Sequence, residues 1–284
     1  MKKEELREKT INSIDGLMHD LEKAVLRGAA VFGMDEMMTD LIPSFLGIEV
    51  MPRVAGGYTG EMRDIGLLLN PKDRPWTQTI AQVSAISKQG NSKKTFKPGD
   101  YLIIPVSVTD NIIDGVEFPA IEDGSVKMVI TEVFDTQVIF NFENVILHAS
   151  VNRENTNEGG FSKSILAKYL SGHFMRSVFG AVEDYLTPNK DGLKVSIPTY
   201  FEVFGGEFDR NRNVNWGDVV RHTYFAKYTN RIKVNNDDVD DTNWWWLSTA
   251  SNTADFCDAD RLGYSNYHIA SRTDGGVAPA ICIS

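Results

Sequence analysis

The sequence predicts an α+β protein in which a small helical N-terminal unit precedes a larger, strand-rich domain. Three observations carry that expectation. Apolar residues recur at helical spacing near the N-terminus; β-branched and aromatic runs separated by turn residues dominate from about residue 100; and a second helical pattern near residue 165 falls between those runs.

In chain order, Leu6, Ile14, Leu17, Met18, Leu21 and Val25 lie among Lys, Arg, Glu and Asp and match one face of an amphipathic helix. That face needs a cover, and packing onto the rest of the chain or docking to another copy or partner would each supply it. Gly28 and Gly33 loosen the pattern before the Met-rich stretch Met34 to Met38, and Pro43 and Pro52 prevent one uninterrupted helix. NPKDRP, from Asn70 to Pro75, reads as a linker, so the expected division is 1–72 for an assembly or docking unit and 73–284 for the main domain. Within that domain Trp76, Ile80, Val83 and Ile86 mark a short helix, followed by a polar NSKK turn. YLIIPVSV from Tyr101, VKMVITEV from Val126 and QVIFNF from Gln137 read as strands, with turns at Asp114-Gly115 and Asp123-Gly124. Ile165, Leu166, Tyr169, Leu170, Phe174 and Val178 recur at three- and four-residue steps and predict a helix over Ser162 to Phe179. From Asn211 to Asp241 the chain turns polar around Trp216, Tyr224, Phe225 and Tyr228, the pattern of a long surface insertion.

The same residues exclude several function classes. No stretch approaches the roughly 20 apolar residues of a membrane-spanning helix, and MKKEELREKT lacks the apolar core of a secretory signal, so neither membrane insertion nor signal-peptide export is expected. A formal net charge of -10 at pH 7 opposes nucleic-acid binding, which depends on neutralising phosphates. Two cysteines, Cys257 and Cys282, are too few for a disulfide framework or a four-thiolate zinc site; they read as small buried hydrophobes, with mutual pairing left open. The five histidines are scattered without zinc-motif spacing, and there is no phosphate-binding glycine loop and no GxSxG elbow. The acidic run NNDDVDDTN, from Asn235 to Asn243, lacks the ligand register of an EF-hand and reads as a solvated loop. No metal and no cofactor are expected.

The last forty residues stand apart. Trp244, Trp245, Trp246 and Leu247 are costly to expose and suited to anchoring a strand in a core. After the pair Phe256-Cys257, the stretch from Asp258 to Ile269 has almost no regular pattern, and it is expected to be an irregular surface between two firm strands. Asp258, Asp260, Arg261, Leu262, Tyr264, Asn266, Tyr267 and His268 mix aromatic anchors with short polar groups, as antibody binding loops do. On composition alone an ordinary polar loop with incidental tyrosines fits as well. GGVAPAICIS closes with Val277, Ile281 and Ile283 as a core strand.

From about Trp76 to Ser284 the chain resembles phage and prophage proteins whose C-terminal part has the C-type-lectin fold, the variable proteins of diversity-generating retroelements. The resemblance is carried, in order, by WTQTIAQVSAISKQG with FKPGD, by NEGGFSKSILAKYL, YFEVFGG and YFAKYTNRIK, and most specifically by WWWLSTAS, FC and ASRTDGGVAPAICI. It implies a C-type-lectin-like domain whose terminal strands and loops present a diversifiable ligand-binding face. Trp244, Trp245, Trp246, Phe256, Cys257, Gly275, Gly276 and Cys282 then match scaffold, while Asn252, Asp255, Asp258, Asp260, Arg261, Leu262, Tyr264, Asn266, Tyr267 and His268 fall where variable positions are expected. The sequence has no clear EPN, QPD or WND element, so neither calcium nor sugar specificity comes with the fold. The implied function is non-enzymatic: binding a protein or glycan receptor on a target cell, from a phage particle, as a homo-oligomer or beside other virion proteins. One alternative is a structural virion protein that uses the fold for assembly only. A remoter one is an oxidase of the formylglycine-generating kind, which would use Cys257 and Cys282.

Overall fold

The structure, a computed structural model, describes residues 62–69, 75–206, 221–236, 238–251 and 253–284. Compactness divides the chain between Val54 and Ala55; the first unit, and with it the amphipathic face from Leu6 to Val25, lies outside the described residues.

The described part of the second unit is mixed helix and sheet. A short helix, α1 (Ile65–Leu69), is held by Arg63, whose Nη2 lies 2.5 Å from Asp100 Oδ2 and whose carbonyl accepts from Tyr101 N. Met62 to Leu69 thus belong to the same body as the strands, although they precede the segment NPKDRP, which up to Arg74 lies outside the described residues. The helix expected at Trp76 forms as α2 (Trp76–Lys88) and buries Ile80 and Val83; a single turn, α3 (Ser92–Thr95), follows.

Two five-stranded sheets make the core. The first has the order β1-β4-β5-β14-β7, and the second β12-β11-β10-β13-β6, in which β6 is Leu147–His148. In the first sheet, β1 (Tyr101–Val108) alternates strictly: Leu102, Ile104, Val106 and Val108 are buried, whereas Ile103, Pro105 and Ser107 face out. Pro105 lacks a backbone donor and is tolerated because β1 is an edge strand. The hairpin of β2 (Asn111–Ile113) and β3 (Val116–Phe118) turns on Asp114 and Gly115, at φ 50° and 80°, the pair of positive φ values that a tight hairpin requires. Asp123-Gly124, by contrast, makes no turn. It lies inside β4 (Ile121–Val133), with Gly124 paired opposite Val106, because β1 continues far enough to hold that end of β4 extended. β5 (Val138–Phe142) follows β4, and β14 (Ala280–Ile283) fits between β5 and β7 (Val195–Ser196).

The pattern at Ser162 to Phe179 buries the expected face, but not as one α-helix. A 3-10 turn (Phe161–Lys163) leads into α4 (Ile165–Tyr169), N-capped by Ser164, and then into a π-helical stretch (Leu170–Phe179) and a further 3-10 turn (Gly180–Tyr185). The wider π turn keeps both Phe174 and Phe179 against Phe142, at ring separations of 6.1 and 6.2 Å. A reciprocal capping box between Thr199 and Glu202 starts α5 (Tyr200–Phe204).

The expected surface insertion from Asn211 to Asp241 is corrected over its described half. Trp216 lies outside the described residues, but Tyr224 and Phe225, in a 3-10 turn (Thr223–Ala226), are buried, and the Phe225 ring lies 6.2 Å from Trp245. The acidic run, read above as a solvated loop, forms most of the hairpin β8 (Lys233–Asn235) and β9 (Asp238–Asn243). Lys233 at its base is fully enclosed. Its Nζ donates to Asn141 Oδ1 at 2.9 Å, Phe142 O at 2.6 Å and Glu143 O at 3.0 Å, and stands 4.6 Å from the Trp245 ring centre. Burial pushes this ammonium down to about 7, with the Glu143 carboxylate opposing.

Candidate binding face

The tryptophan run anchors the second sheet. Trp245 and Trp246 on β10 (Trp245–Ala250) are wholly buried, and Trp244 nearly so. Each buried indole needs an acceptor: Trp245 Nε1 donates to Arg231 O and Trp246 Nε1 to Ala149 O, both at 2.8 Å. The two glycines near β13 (Gly276–Val277) exist for this packing. A Cβ at Gly275 would stand 2.0 Å from Trp246 Nε1, and one at Gly276 would stand 2.8 Å from Trp244 O and 2.6 Å from Val145 Cγ2. Phe256, fully buried, meets Phe161 edge to face.

Cys257 and Cys282 are not joined in a disulfide and lie in different sheets, on β11 and β14. Burial and the Glu202 carboxylate push the Cys282 thiol up to about 11, away from the thiolate that nucleophilic or redox chemistry needs.

Asp258 to Ile269 is not irregular. It continues β11 (Asp255–Ala259), turns, and returns as β12 (Ser265–Ile269) in unbroken antiparallel register. The turn is made by Asp260, whose Oδ1 accepts from Leu262 N at 2.8 Å and Tyr264 N at 2.9 Å. Gly263 sits in it at φ 78°, where a Cβ would come within 2.9 Å of Tyr228 O. Asp260 is therefore a turn-forming residue first.

Two expected contact residues are corrected. Asp255 and Asp258 are buried, because both sides of β11 are enclosed along its whole length. Asn252 lies outside the described residues. Arg261, Tyr264 and Tyr267 are exposed, while Leu262, Asn266 and His268 are half-buried. The alternation along β12 places Ser265, Tyr267 and Ile269 on one side and Asn266 and His268 on the other. Ile269, 42% exposed, joins Tyr267 (48%) and the turn residue Tyr264 (55%) as a third large exposed side chain. Its two-residue spacing from Tyr267 is the signal in the sequence that puts both on one side of a strand.

These residues offer apolar rings, phenolic hydroxyls and one guanidinium on a firm hairpin, a surface for contact. No cluster of metal-ligating side chains occurs among the described residues. Two clefts, of about 400 and 580 Å³, lie elsewhere, one beside Glu202 and Cys282 and the other beside Trp76 and Pro105. No described helix is long and apolar enough to cross a membrane. Comparison with family models, curated proteins and solved structures finds no match to this chain.

Proposed function

We propose that the protein is a non-enzymatic binding protein that holds its target through the β11–β12 hairpin, with Tyr264, Tyr267 and Ile269 as anchors and Arg261 beside them. The observation that carries this reading is three large side chains exposed together on a hairpin whose inner strand pairs with the buried tryptophans of β10. Isolated exposed apolar residues are ordinary, but aromatic rings held rigidly at one strand and its turn supply contact area at little entropic cost. The resemblance set out above extends the proposal to a C-type-lectin-like fold, a phage or prophage particle, a cell-surface protein or glycan as target, and a face open to retroelement diversification. Several copies would raise weak single-site binding through avidity. The high pKa of Cys282, and its placement in a different sheet from Cys257, weigh against the oxidase alternative.

The test is binding of the labelled protein to a panel of bacterial cells. Tyr264→Ser combined with Tyr267→Ser should abolish binding to whichever cells the unaltered protein marks, with little change in melting temperature. Undiminished binding sinks the assignment. A second reading, assembly through this face, is favoured by the position of β12 as the outermost strand of its sheet with apolar side chains exposed. It predicts that the same double variant loses its oligomeric state in light scattering.

A further inference from the structure

Asp258 and His268 share a side of the β11–β12 pair, Asp258 opposite Asn266 and His268 opposite Phe256. His268 Nδ1 lies 2.8 Å from Asp258 Oδ2, and the imidazole packs on Trp244 with ring centres 4.3 Å apart. The Asp258 side chain is wholly buried, and that of His268 is 24% exposed. Arg272, whose guanidinium stands 5.4 Å from the Trp244 ring centre, adds a positive charge that interacts with Asp258.

A carboxylate only accepts hydrogen bonds, so the proton in this bond belongs to Nδ1, and in the neutral ring Nε2 must carry the lone pair. Among the described residues no protein group bonds His268 Nε2. The other three described histidines differ. His148 uses both nitrogens, on Asp274 O and Asn235 Oδ1; His173 Nε2 meets Thr109; and His222 is buried between Thr131 and Glu202. Burying a carboxylate is costly; here its effect is to fix one ring, on a partly exposed side chain, in one tautomer.

We infer that Asp258 is a positioning residue for His268, and that His268 Nε2 is a directed acceptor taking a hydrogen-bond donor, a hydroxyl or amide N–H, from the target. The inference rests on the hairpin being the binding face. It gives the buried Asp258 a role behind that face, and it makes a target that touches both His268 and Tyr267 straddle β12.

Imidazole nitrogen NMR on the whole protein at mildly alkaline pH should show His268 protonated on Nδ1 and bare on Nε2; the opposite tautomer overturns the inference. Diethyl pyrocarbonate, which acylates an unprotonated imidazole nitrogen, should modify His268 faster than His148 and His222 when mapped by peptide mass spectrometry. Asp258→Ala, which leaves Nδ1 without its acceptor, should shift part of the ring proton to Nε2 in the same NMR experiment. Absence of His268 modification in the unaltered protein, or an unchanged tautomer in a folded Asp258→Ala variant, refutes the assignment. If the variant does not fold, the two measurements on the unaltered protein decide alone. Neither uses a target, so their failure is distinct from failure of the cell-binding test.

Discussion

Gly275→Ala places the added carbon 2.0 Å from Trp246 Nε1, 2.4 Å from Trp246 Cε2 and 2.7 Å from Trp244 Cη2. Ordinary contact between such atoms is about 3.5–4.0 Å, so an indole enclosed on all sides would have to shift by more than an ångström. Overpacking of this kind costs about 1–3 kcal/mol. Moving Trp246 also breaks its bond to Ala149 O and strands a buried donor, for a further ~1–3 kcal/mol. The expected loss is therefore about 2–6 kcal/mol, a large share of the ~5–15 kcal/mol that holds a typical domain together. At about 2–4 °C per kcal/mol for a unit of this size, Tm falls by roughly 10 °C. Urea unfolding followed by tryptophan fluorescence measures it, with Gly180→Ala as the matched control. Gly180 has φ -54°, and a Cβ there meets nothing within 4 Å. A Gly275→Ala variant within about 1 kcal/mol of the parent refutes the packing argument.

Asp260→Ala removes the acceptor of two backbone amides in the hairpin turn and should cost about 1–2 kcal/mol, with faster hydrogen exchange at Leu262 and Tyr264; unchanged exchange would remove the turn from its side chain. Thr199→Ala breaks the capping box of α5 and should cost about 1 kcal/mol in urea unfolding, whereas Thr199→Ser should cost far less. Lys233 carries a pH prediction whose sign follows from its depressed pKa of about 7. Between there and the unfolded-chain value near 10.4 the unfolded state binds one more proton, so stability should rise with pH by up to ~1.4 kcal/mol per unit. Lys233→Met should remove that slope, and a flat profile for the parent protein would contradict it.

Local signals were legible where one residue's neighbours along the chain decide its environment. The helix from Trp76, the alternation of YLIIPVSV and the Asp114-Gly115 turn all formed as read. The α+β class followed from them. Asp123-Gly124 has equally good turn chemistry, yet pairing with β1 overrode it. β12 was hidden for a different reason. Its inward positions are Asn266 and His268, and its partner strand contributes Asp258, so the alternation is written partly in polar residues and escapes a hydrophobicity pattern. Lys233 escaped likewise, because the oxygens that make its burial tolerable lie on β5 and just beyond it, far away in sequence.

The placement of β14 bears on the order of events during synthesis. β5 and β7 leave the ribosome long before Ala280–Ile283, yet each finds its shared neighbour only in that late segment. Val138 waits for Ile283, more than half the chain away. Until then β5 presents an unsatisfied backbone edge bearing Phe140 and Phe142, a site for mispairing between nascent chains. Sheet closure is accordingly a late and slow step, and expression yield should respond to temperature and chaperone supply more than to the stability of the finished fold.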